Sequence, residues 1–143
     1  TLAMRHADVA VIVTNPEVSS VRDSDRIIGL LDAKTEKAER GEKLDTHILI
    51  TRLDPNRAPR GPMLNISDVL EILSLPLLGI IPESEDVLRA SNIGTPVVLN
   101  NPASAAARAY LEAARRLMGE ELNVTVPSEK RGLFNKLFGR RAA

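Results

Sequence analysis

The chain has no cysteine, no tryptophan and a single tyrosine, Tyr110. Without cysteine there are no disulfides, and nothing argues for an oxidising compartment. Its two histidines, His6 and His47, stand far apart and have no clustered carboxylates at metal-ligand spacing. Each is therefore expected in a structural or surface role. No apolar run approaches the length of a membrane span, and no signal-peptide pattern opens the sequence. None of the eight glycines falls in a GxxxxGK[ST] or GxGxxG pattern, so the chain holds no phosphate loop of its own. It also lacks an HExxH motif and a Ser-His-Asp order. No self-contained catalytic constellation is present.

Phenylalanine is almost absent too. Both copies, Phe134 and Phe138, sit within the last ten residues, inside KRGLFNKLFGRR (130–141). Charge is uneven in the same way. Residues 129–143 hold five basic side chains against Glu129, a net of +4; since the whole chain sums to zero, residues 1–128 carry −4. An acidic body with a basic tail implies an anionic partner for the tail.

What the body does contain is a regular alternation of apolar runs and amphipathic stretches. VAVIV (9–13) and THILIT (46–51) read as strands buried on both faces, as does LLGII (77–81), which Pro82 closes. A fourth, short strand is expected at 97–99. Between them, Ser19 or Ser20 is expected to cap a helix that runs to about Arg40 and ends at Gly41, with Val21, Ile27, Ile28, Leu30 and Leu31 on its apolar side. Ser67 is expected to cap DVLEIL, and residues 85–91 form a short helical piece that ends by Gly94. SAAARAYLEAARRLM (104–118) is a clear helix closed by Gly119. Strands alternating with helices give an α/β fold: a mostly parallel sheet with helices on both faces. Ligands of such sheets bind beyond the carboxyl ends of the strands. The suspect loops are thus TNPEVSS, TRLDP and IPES. The expected organisation is a body over 1–119, a linker over 120–129 and a tail over 130–143. The opening TLAMRHADVAVIV has no initiator methionine and enters a strand almost at once, which leads to the expectation of a piece excised from a longer chain.

On a helical wheel Leu133, Phe134, Leu137 and Phe138 share one face about 140° wide. Lys136 lies opposite, and Lys130 and Arg131 flank the apolar face. A short basic amphipathic helix of this kind suits an anionic membrane surface. Fully burying each apolar side chain would contribute on the order of 1.5–3 kcal/mol, and each basic residue near anionic lipid about 1 kcal/mol. Ordering the backbone costs about 1 kcal/mol or more per residue. One copy is therefore marginal, whereas two tethered copies bind far better. The plainer alternative is a basic end whose two Phe dock back onto the body. A nucleic-acid patch fits less well, because Phe-Leu pairs at helical spacing are not a base-stacking platform.

TNPEVSSVRDSDRIIGLL (14–31), LITRLDP (49–55), DVLEIL (68–73), GIIPES (79–84), VLRASNIGTPV (87–97) and the terminal amphipathic helix together resemble, in order, the C-terminal half of the MinD family of division-site ATPases. These belong to the deviant Walker-A group with ParA. The resemblance implies a P-loop-type α/β ATPase that takes ATP and Mg and dimerises on ATP. It further implies binding through the terminal helix to anionic lipid on the inner face of the cell membrane, from the cytoplasm. The implied partners are MinC, which it recruits, and MinE, which stimulates hydrolysis and releases it; no nucleic acid is expected. The family's phosphate loop and signature lysine belong to the half not represented here. By the same resemblance Arg52 and Pro82 flank the adenine. Glu17, Ser19 and Asp23 lie at the dimer interface near the nucleotide, and Asp25 and Gly29 contact MinC and MinE. Lys130, Arg131, Leu133, Phe134, Lys136, Leu137 and Phe138 bind membrane. The chain departs from the family in reading TRLDP where an aromatic and Asn are common, and IPES where an acidic residue is common. Two other readings compete: a ParA-like partitioning ATPase that uses DNA, and a non-enzymatic membrane-anchored interaction module.

Overall fold

A computed structural model of the protein describes residues 2–54 and 63–126. After a four-residue helix α1 (Leu2–Arg5), the elements run β1 (Val9–Thr14), α2 (Val18–Lys34), α3 (Glu36–Glu39), β2 (Asp45–Leu53), α4 (Ile66–Leu73), β3 (Leu77–Pro82), α5 (Glu85–Ile93), α6 (Val97–Asn100) and α7 (Ala105–Leu117). The strands form one parallel sheet in the order β1-β2-β3. Most of the Pro- and Gly-rich loop expected after Arg52 lies outside the described residues.

Helices cover both faces. On one, Val21 of α2 and Val69 and Leu73 of α4 pack against Ile48, Ile50 and Ile80. On the other, Ala106 and Ala113 of α7 meet Leu49, Leu78 and Ile81. Gly79 makes the second layer close: a Cβ there would stand 3.0 Å from the Cβ of Ala113. β2 and β3 are buried on both sides, as expected for 46–51 and 77–81. β1 is an edge strand, and α7 lies over β3. Ile12 is buried, but Val13, on the opposite side of β1, is 58% exposed, which corrects the two-sided burial expected for 9–13.

Four other local expectations change, each for a physical reason. The run 97–99 is helical, not a strand. The amide N–H groups of Leu99 and Asn100 both donate to Pro96 O, and that of Asn101 donates to Val97 O, so Pro96 starts a turn of helix. A short apolar run does not by itself distinguish the two states. Ser19 and Ser20 do not cap α2. Glu17 occupies the cap position with extended backbone and no side-chain cap, while the Ser20 hydroxyl bonds Thr14 Oγ1 and accepts the Asn15 N–H. The helix breaks at Thr35, whose buried hydroxyl donates to Leu31 O and accepts the Ala38 N–H. Thr35 thereby ends α2 and caps α3, and Leu30 of α2 faces outward. Asn65, not Ser67, caps α4, through a reciprocal box with Asp68. Ser104 caps α7, the helix expected over 104–118.

Candidate functional site

The parallel sheet brings the ends of β2 and β3 together, and the loop after β3 leads into α5. These elements and the side chain of Tyr110 enclose a cleft of about 380 Å³. Arg52 and Pro82, thirty residues apart, both line it, with Ile81, Ser84, Val87 and Tyr110. The backbone prepares Arg52 for this position. The β2–β3 register shifts between Ile50 and Leu53, and Arg52, inside that irregularity, is left-handed at φ 57°. Such a bulge re-aims a side chain at a modest conformational cost. Arg52 Nε donates to Glu83 Oε2 at 3.0 Å. The pair is exposed, so both groups remain within reach of a ligand. A planar cation, a proline face and an aromatic ring around an apolar floor suit a flat heteroaromatic group.

Glu17, Ser19 and Asp23 gather at the start of α2, beyond the end of β1. Glu17 also forms a bridge with Met63. Asp23 pairs with Arg26 at 3.7 Å, one helical turn on, and both are exposed. Asp25 and Gly29 lie one turn apart on an exposed strip of the same helix, and a Cβ at Gly29 would meet nothing within 4 Å. The structure does not bring these five residues into the Arg52–Pro82 cleft. Lys130, Arg131, Leu133, Phe134, Lys136, Leu137 and Phe138 lie outside the described residues.

Two residues of the cleft carry roles that the sequence reading did not assign. Glu83 was signalled only by its place in IPES, a suspect loop. Tyr110 reads as one apolar position of a helix, and no local signal marks it. Tyr110 also lines a second, more apolar cleft of about 470 Å³ between α5, α6 and α7; the two clefts share Val87, Ser91 and Tyr110. At the opposite end of β3, Arg116 is nearly buried. It donates to Leu78 O, Leu122 O and Asn123 O and pairs with Glu112 at 3.2 Å. The stretch after α7 thus begins attached to the body, with Val124 packed against the α2–α4 core. Among the described residues, no group of three or more His, Cys, Asp or Glu could hold a metal ion, and no helix is long and apolar enough to cross a membrane.

No family model matches the chain. The septum site-determining protein MinD of Escherichia coli is 51% identical over 140 residues, covering 96% of this chain and 52% of its own length. The MinD of Neisseria meningitidis is 49% identical over 139 residues, 96% of this chain and 51% of its own. In structure, the MinD cell division protein of Aquifex aeolicus matches with a TM-score of 0.71 and 40% identity over 83% of this chain and 47% of its own. A chain of the MinC:MinD complex from the same organism matches equally well. A MinD of Pyrococcus horikoshii complexed with Mg-ADP, 23% identical at a TM-score of 0.63, shares the fold. The chain spans about half the length of the curated relatives it matches. Over 96% of its length the chain corresponds to about half of these MinD proteins, and it shares the parallel α/β fold of the MinD structures.

Proposed function

We propose that this chain supplies one half of an ATP-dependent, dimerising ATPase that places the division site. The observation that carries the reading is the convergence of Arg52 and Pro82 on one cleft at the carboxyl ends of parallel strands, where an α/β sheet takes its ligand. The adenine lies in that cleft, between the guanidinium and the proline, with Tyr110 on the wall. The phosphates and Mg are held by the part of the ATPase that this chain does not include. The MinD relatives support the assignment to septum placement, and the MinC:MinD complex of Aquifex aeolicus supports MinC as the partner.

In this reading Glu17, Ser19 and Asp23 face a second subunit across the nucleotide, and Asp25 and Gly29 on the exposed strip of α2 meet MinC and MinE. The tail, through Lys130, Arg131, Leu133, Phe134, Lys136, Leu137 and Phe138, binds anionic lipid. The protein works in the cytoplasm and docks peripherally on the inner membrane face. One weak tail per subunit makes membrane binding conditional on dimerisation, because the second tail then binds at high effective concentration.

The test is a chimera that joins this chain to the half of the Escherichia coli relative that it does not match. The folded chimera should bind ATP and sediment with phosphatidylglycerol vesicles only when ATP is present. Arg52→Ala should weaken ATP binding about tenfold, and Phe134→Ala with Phe138→Ala should abolish sedimentation. A folded chimera that binds no ATP overturns the nucleotide reading. Sedimentation that survives loss of both Phe overturns the tail reading.

A further inference from the structure

Thr14-Asn15-Pro16, the turn out of β1, is densely bonded. The hydroxyls of Thr14 and Ser20 lie 3.0 Å apart, and the Asn15 N–H donates to Ser20 Oγ at 3.3 Å. Thr51 Oγ1 donates to Thr14 O, and the Leu64 N–H donates to Pro16 O at 2.8 Å. The side chain of Asn15 is the exception. Among the described residues, its Oδ1 is the one buried side-chain oxygen or nitrogen with no hydrogen-bond partner. Such a carbonyl loses its water and gains nothing in return, a cost that folded proteins rarely carry without a reason.

The place of Asn15 in the sheet supplies the reason. It is the first residue past β1. Among the described residues β1 has β2 on one side and no strand on the other, so a row of backbone donors and acceptors lies open along that edge. The face beside the edge is bare as well. α7 covers β3 and stops short of β1, leaving Val9 and Val13, on the same side of the strand, 46% and 58% exposed. Parallel strands are ordinarily covered on both faces. β3 forms the other edge, yet its Leu78, Ile80 and Ile81 are all buried. The open edge, the bare apolar face and the unpaired carbonyl thus meet at β1 alone. The curated relatives carry about as much chain again as this one, enough to extend the sheet and cover Val9 and Val13.

We propose that the half of the ATPase absent from this chain joins the sheet along β1, and that the Asn15 side-chain carbonyl accepts an N–H donor from it. The proposal rests on the reading of this chain as one half of that ATPase. Asn15 is then a positioning residue. It fixes the turn out of β1, and with it Glu17 and Ser19 just beyond, against the other half.

The test compares Asn15→Ala in the 143-residue chain and in the chimera with the Escherichia coli half. In the chain alone the carbonyl has no partner to lose, so the urea midpoint should hold or rise. In the folded chimera the same change should lower the folding equilibrium constant at least tenfold. Ser20→Ala breaks bonds made within this chain and should cost the same in both settings. Asn15→Asp keeps an acceptor in place and should retain more of the chimera's stability than Asn15→Ala. Amide hydrogen exchange needs only the folded chimera: Asn15→Ala should speed exchange at least tenfold within the Escherichia coli half. Equal losses in the two settings overturn the proposal, and so does a change in exchange confined to this chain's own residues. A chimera that responds to Asn15→Ala yet binds no ATP leaves the seam standing and overturns the nucleotide reading instead.

Discussion

Arg52 and Arg116 stand toward opposite ends of β3 and show how differently one residue type is used. Arg52 lies within the bulge at the carboxyl end, 70% exposed at its side chain, with Glu83 as its side-chain partner among the described residues. Arg116 sits at the other end, 9% exposed, and its donors serve three backbone carbonyls and one carboxylate. The first keeps its bonding capacity for something outside the body. The second is consumed by the fold. Counting partners separates a ligand-facing arginine from a structural one even though both belong to an ion pair.

Mutation can sharpen or break that contrast. The largest effect is expected at Arg116. Its loss leaves the part-buried carbonyls of Leu78 and Leu122 without this donor and Glu112 without its partner, and Arg116→Ala should cost about 3 kcal/mol in urea denaturation. Arg116→Lys should recover only part of this, since an ammonium cannot reproduce the guanidinium fork. Arg52→Ala is the mirror image. It should shift the urea midpoint little, because exposed pairs contribute about 0.2–1 kcal/mol, yet weaken ATP binding in the chimera about tenfold. Equal losses of stability at the two sites would erase the distinction. Arg52→Gly goes further: relief of the left-handed backbone should raise stability by about 1 kcal/mol while ATP binding falls. Glu112→Gln removes the charge next to Arg116 but leaves its three carbonyl bonds, and about 0.5–1 kcal/mol is expected.

The smallest effect belongs to a third arginine. Arg115 is bonded to Glu120 at 2.8 Å, and this bond holds the Glu120 carboxyl below its ordinary value of 4.5. A lowered carboxyl favours the folded state above that value, and the contribution is lost as pH falls through the folded pKa. Glu120→Gln should therefore lower stability slightly at neutral pH and make no difference well below pH 4.5, so that thermal melts across this range show a flatter acid dependence in the variant.

The elements made by neighbouring residues were legible in the sequence. β2 and β3 are apolar runs cut off by turn residues, and α7 announces itself through Ser104, its alanines and Gly119. Where a choice depended on tertiary company, the sequence was silent. Val13 belongs to the same unbroken run as Ile12, and only the placement of α7 over β3 leaves it exposed. Thr35 looks like any other helical residue until its hydroxyl is seen to serve two turns at once. The site divides along the same line. Arg52 and Pro82 were reachable because they follow strands inside a recognisable motif. Tyr110 was not, because its contact with the strand ends depends on how a helix far along the chain returns over the sheet. Arg116 stayed hidden for the same reason, since its acceptors include a carbonyl 38 residues away.

Tyr110 has one further consequence. The chain has no tryptophan and no second tyrosine, so nearly all of its near-ultraviolet emission comes from one phenol ring in the wall shared by the two clefts. The molecule is in effect already labelled at a single site. Filling either cleft alters the surroundings of the same chromophore, and a titration followed in the unmodified protein reports on that wall alone.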